Sequence, residues 1–126
     1  MMIKDLLTPE AHHDPYVWAA VLLAHGFICQ VLTLALMLAG MEPVSTAVGV
    51  SLAYLLVWEG MHLRAALRRG DGVVVAVADG VLDAVGVALG CFTVAFAAMW
   101  LLGLAVAAAA SLLSVAAVGY WRRNAR

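Results

Sequence analysis

The chain has 126 residues, 66% of them hydrophobic and only 12% charged, with a net charge of −1 and a mean hydropathy of +1.02. Soluble domains carry about 25% charged residues, and a fold this small cannot hide so much apolar surface from water. A soluble domain is therefore excluded; lipid is the solvent, and one all-α bundle is expected.

The first residues, Met1 to Pro15, hold Lys4, Asp5, Glu10, His12, His13 and Asp14. They do not read as a cleaved signal peptide, and residues 1–15 are expected to form a cytoplasmic N-terminal tail. Asp14-Pro15 is a good helix start. The apolar run Tyr16 to Gly40 is longer than a secretory h-region and lacks a small-x-small cleavage signal, so it reads as the first permanent span, 16–40. His25 and Gln30 interrupt it. Gly40-Met41-Glu42-Pro43 is a compact stop-and-turn. A second span, 44–63, then enters the basic segment Arg64 to Gly72. The remaining apolar run, Val73 to Tyr120, has 48 residues, whereas one span takes about 20. It should make two helices, 74–98 and 102–120. No proline or charge marks their turn, which is placed at Met99 to Gly103 with Trp100 at the interface. The four-helix transmembrane domain is thus residues 16–120, and residues 121–126 form a basic tail.

Four spans put the N-terminus, the central arginine segment and the C-terminus on one side. All seven basic residues lie there: Lys4, Arg64, Arg68, Arg69, Arg122, Arg123 and Arg126; the other side has only Glu42. The positive-inside rule places that basic side, and both termini, in the cytoplasm. Three spans would separate Arg122, Arg123 and Arg126 from the central arginines, so four spans are preferred. A multi-pass protein of the bacterial inner membrane is expected, with membrane lipids as partners. The alanine run Ala107 to Ala110 favours close helix packing, and Gly- and Ala-rich faces favour homo-oligomers.

Ionisable residues within spans are costly and mark function. Asp79 and Asp83 lie one turn apart, and Glu59 lies in the preceding span. At a rise of 1.5 Å per residue, depths can be compared: His25 is nine residues after Tyr16, Glu59 five before Arg64, and Asp79 and Asp83 eight and twelve after Asp71. All four then share one layer in the cytoplasmic half of the bilayer. Asp79, Asp83, Gly86 and Gly90 follow one helix face, its glycines allowing another backbone to approach. Glu59 and His62 share a face at i and i+3. The expected site is a pocket walled by His25, Glu59, Asp79 and Asp83, with His62, Arg64, Arg68 and Arg69 at its rim and Gly86 and Gly90 packing helices.

Plainer roles compete with each of these. One aspartate could pair with a central arginine and fix packing. His25 and Gln30 could be interhelical hydrogen-bonders, and His62 a boundary residue. Trp18, Trp58, Trp100 and Trp121 read as interface anchors, and Arg122, Arg123 and Arg126 as topology determinants. Cys29 and Cys91 read as small hydrophobes. Close carboxylates can share a proton, and with a histidine they could hold a divalent cation, but a lone Glu59-x-x-His62 spacing assigns no metal. No nucleotide-binding glycine loop, serine nucleophile motif or zinc-type cysteine spacing occurs, so no cofactor, nucleic-acid partner or catalytic set is assigned.

The order His25-Gly26, Trp58-Glu59, Arg68-Arg69 and Asp79-Gly-Val-Leu-Asp83-Ala-Val-Gly86-Val-Ala-Leu-Gly90 resembles the VanZ-like family and the related YjdF-like and YfiM-like small bacterial membrane proteins. The resemblance covers about His25 to Gly90. This chain has His62 where the VanZ pattern has a Gln soon after its Glu, and Asp83 where it has Asn. The family's namesake is associated with glycopeptide resistance, and most relatives have no assigned activity, so the resemblance implies the site rather than a reaction. The leading expectation is a binding module for a lipid headgroup, cation or proton. A holin-like phage pore is the alternative, although a hole does not need buried acids. A small multidrug-type exporter would resemble its kind in carrying a Glu in helix 1, where this chain has only His25 and Gln30.

Overall fold

A computed structural model describes residues 14–70 and 72–125. The expected N-terminal tail with Lys4, His12 and His13 lies outside the described residues up to residue 13, as do Asp71 and Arg126. The chain folds as four helices, each long and apolar enough to cross a membrane: α1 (Pro15–Leu38), α2 (Pro43–Arg69), α3 (Val73–Ala98) and α4 (Leu102–Asn124). This is the expected all-α membrane bundle. α1 and α3 form the central pair, each packed along the other and against both α2 and α4.

Capping chemistry sets the helix ends. Asp14 Oδ1 accepts from the backbone N–H groups of Tyr16 and Val17 at 2.8 and 3.0 Å, and Pro15 occupies the first turn, where its missing N–H costs nothing. α1 closes with Gly40 in the left-handed region at φ 97°. The Gly40 N–H donates to Met37 O and the Met41 N–H to Leu36 O, a Schellman pair. α3 closes the same way, with Trp100 N–H to Ala97 O and Leu101 N–H to Phe96 O. There, however, the left-handed residue is Trp100, at φ 60°, which costs roughly 1–2 kcal/mol relative to glycine.

Two helices run on past their apolar stretches. α2 continues through the arginines to Arg69 and stops at Gly70, φ 79°. Likewise α4 runs through Asn124, so residues 121–124 of the expected basic tail are helical. Long arginine stems lie along apolar helix while their heads reach water, so charge alone does not end a span.

Small residues let the helices close. The buried face of α4 is Ala105, Ala108, Leu112, Ala116 and Gly119, and the core of the other three helices is built around Cys29, Ala47, Val50, Val87, Cys91 and Ala95. In lipid such contact is driven by packing rather than by water exclusion. Both cysteines are buried free thiols. Large apolar side chains such as Phe27, Leu38, Leu56 and Val74 cover the outside.

Glu42 caps α2 outside the membrane-spanning helices. Its carboxylate accepts from the Val44 and Ser45 N–H groups at 3.0 and 2.6 Å, and hydrogen bonding by the Ser45 side chain first, then by these two N–H groups, holds its pKa below the usual 4.5. A depressed carboxylate pKa stabilises the fold above the unfolded value, and that contribution disappears as pH falls through the folded one. The protection factors of the Val44 and Ser45 amides, each taken against the intrinsic exchange rate at that pH, should therefore fall on acidification below about pH 4.5. Protection factors unchanged between neutral pH and that range would refute the cap's role.

Candidate functional site

Two polar clusters occupy the end of the bundle where α2 turns into α3. The first joins α1, α3 and α4. Trp18, 1% exposed, lies over Gly119, where a Cβ would collide with its ring. Its indole Nε1–H donates to Asp83 Oδ1 at 2.8 Å. The Arg123 guanidinium sits 3.9 Å from the centre of the Trp18 ring and forms an ion pair with Asp79 at 2.9 Å. Asp79, Arg123, Trp18 and Asp83 thus form one chain of contacts across three helices.

The second cluster joins α1 and α2. His25 Nδ1 and the Tyr54 hydroxyl are 3.2 Å apart. The rings of His25 and Trp58 meet edge to face at 4.8 Å, and those of Trp58 and His62 at 5.3 Å. Glu59 shares this cluster, facing Tyr54 across one helical turn. Its Oε2 lies against Gly80 of α3, where a Cβ would come within 2.9 Å of it. Gly80 therefore gives the carboxylate room. Glu59 and Asp83 are within electrostatic reach of one another, so the two clusters adjoin across α3.

Backbone geometry explains why Glu59 is inside. Residues Tyr54–Glu59 form a π-turn within α2, with the Gly60 N–H bonded to Leu55 O, five residues back. Buried positions on α2 are Thr46, Ala47, Val50, Tyr54, Glu59 and Ala66. A regular helix would follow Tyr54 with Trp58 on that face. The wide turn advances the face by one residue and puts Glu59 there instead. Such turns are rare and occur frequently at functional sites.

Glu59 is 7% exposed, and among the described residues its Oε1 has no hydrogen-bond partner. The buried Trp58 indole N–H is likewise unsatisfied. A groove of about 160 Å³ between α2 and α3 is lined by Glu59 and otherwise by Leu55, Gly60, Leu63, Ala76, Val77, Gly80 and Val81.

The structure brings His25, Glu59, Asp79 and Asp83 to the same end of the bundle, and of these Glu59 lines the groove between α2 and α3. Asp79 pairs with Arg123 of α4 rather than with a central arginine, and Asp83 is capped by Trp18. Gly86 and Gly90 do take the close approach of α1, the first under Leu22 and the second against Gln30 and the Gly26 carbonyl. His62 stacks on Trp58. Arg64, Arg68 and Arg69 lie exposed on the last turns of α2 and do not line the groove. Among the described residues, no three of His, Cys, Asp and Glu converge to hold a metal.

Three participants were not anticipated: Tyr54, Trp18 and Arg123. A tyrosine inside a span needs a partner for its hydroxyl, which was the available signal for Tyr54. By sequence Trp18 reads as an interface anchor and Arg123 as a topology determinant; both are buried. Comparison with protein-family models, with curated proteins and with solved structures finds no match to this chain.

Proposed function

We propose that the protein is a small ligand-binding module of the bacterial inner membrane, VanZ-like in the order of its polar residues, with Glu59 as the group that takes a cation or proton. The positive-inside rule orients the arginine-bearing end, and so the site, toward the cytoplasm. The observation that carries the reading is the contrast among the three carboxylates. Asp79 has Arg123 of α4 and Asp83 has the Trp18 indole of α1, whereas Glu59 has only the Tyr54 hydroxyl of its own helix, is buried with Oε1 unsatisfied among the described residues and borders a groove. A buried acceptor left without a donor is costly, and a charge in lipid is kept for use or paired. Asp79 and Asp83 are then scaffold, and Glu59 is the working group, with Tyr54 and His25 positioning it.

Dicyclohexylcarbodiimide, an apolar reagent that modifies protonated carboxyl groups from the membrane phase, tests this. In phosphatidylcholine vesicles Glu59 should be labelled well ahead of Asp79 and Asp83, as read by peptide mass mapping, and Glu59→Gln should abolish the fast adduct. Labelling of Asp83 at the same rate, or none at Glu59, would remove Glu59 from its role.

A further inference from the structure

We infer that the groove between α2 and α3 takes a single-chain amphipathic amine, its ammonium N–H on Glu59 Oε1 and its hydrocarbon chain along the apolar walls. This rests on Glu59 being the ligand-binding group and adds the chemistry of the ligand.

Three observations define that chemistry. The first is charge: a carboxylate more than nine-tenths buried among Leu55, Leu63, Ala76, Val77 and Val81 is complemented by a cation and by no other ligand charge. The second is hydrogen bonding, since Oε1 lacks a donor among the described residues. A protonated amine supplies an N–H, while a quaternary ammonium supplies charge alone. The third is size. The groove measures about 160 Å³, close to the cavity of about 150 Å³ that accepts one benzene. It admits a segment of one hydrocarbon chain at a time. Leu55, Val77 and Val81 are also exposed on the outside of the bundle, so the mouth of the groove faces lipid and the ligand enters from the bilayer.

The test uses the full chain in dioleoylphosphatidylcholine vesicles, whose headgroup has no N–H. The probes are N,N-dimethyldodecylamine, dodecyltrimethylammonium and dodecanol, and the readout is the carbodiimide labelling rate at Glu59. A hydrogen bond to a charged group is worth enough to slow labelling about tenfold or more with the tertiary amine. The quaternary probe, with charge but no N–H, should slow it less, and the neutral probe should leave the rate nearly unchanged. Native mass spectrometry of the solubilised protein should count one amine per wild-type chain and none for Val77→Phe, which narrows the groove and leaves the carboxylate in place. Equal protection by the amine and its quaternary analogue overturns the N–H requirement. Labelling with no protection overturns the amine and leaves Glu59's role standing, whereas no labelling overturns both. Protection by phosphatidylethanolamine vesicles equal to that of the amine would replace the single-chain ligand by a bilayer lipid.

Discussion

Arg123→Leu should cost about 3 kcal/mol of stability, the lower end of the range for breaking a buried ion pair. The lower end applies because the Asp79 side chain is 26% exposed whereas that of Arg123 is 6% exposed. Removing the guanidinium strands the Asp79 charge and removes the stack on Trp18, itself worth about 1 kcal/mol. The neighbouring Arg122→Leu is the control, since Arg122 is exposed, and its change should stay within about 0.5 kcal/mol. The double variant Asp79→Leu/Arg123→Leu should lose less than Arg123→Leu alone, because no charge is left unpaired. Denaturation in mixed micelles reads all three. An Arg123→Leu protein as stable as wild type would mean that the pair is ornamental.

Trp18→Ala should be equally damaging, at about 3–5 kcal/mol. It shares a core cluster with Leu22 and Ala116, against which Leu82 and Val115 pack, and its ring lies over Gly119. No hydrophobic force joins helices within lipid, so what is lost is contact surface. Trp18→Phe separates the two contributions: most packing survives, but Asp83 loses its indole donor, at about 1–3 kcal/mol. Trp121, 72% exposed, provides the comparison, and Trp121→Ala should change stability by about 0.5 kcal/mol or less. Equal losses at Trp18 and Trp121 would return Trp18 to the class of interface anchors.

Much of the architecture was legible because lipid leaves few choices. Span length, the Asp14-Pro15 start and the Gly40 stop follow from hydropathy and local chemistry. Even the turn between α3 and α4 was located by length, although its left-handed residue is Trp100 rather than the glycine that would announce it. The arginines were harder to read. The rule that orients a chain treats every Arg as a surface marker, which suits the exposed Arg64, Arg68 and Arg122. It misplaces Arg123, whose destination depends on Asp79, 44 residues earlier in the chain. The same logic hid Trp18, an indole near a span's end that could anchor outward or bond inward. The carboxylate layer could be found by counting rise per residue, but counting could not show which acids were already satisfied.

The π-turn has a consequence for aligning this chain with any other. It represents one residue more than a regular helix needs between Tyr54 and Glu59. A chain lacking one residue there would form an ordinary α-helix and still keep its glutamate four positions after the tyrosine, on the same side. An insertion or deletion between Glu59 and Arg64 would instead swing Arg64 to Arg69 about 100° around the axis relative to the carboxylate. Alignments should therefore place a single-residue gap within residues 55–58.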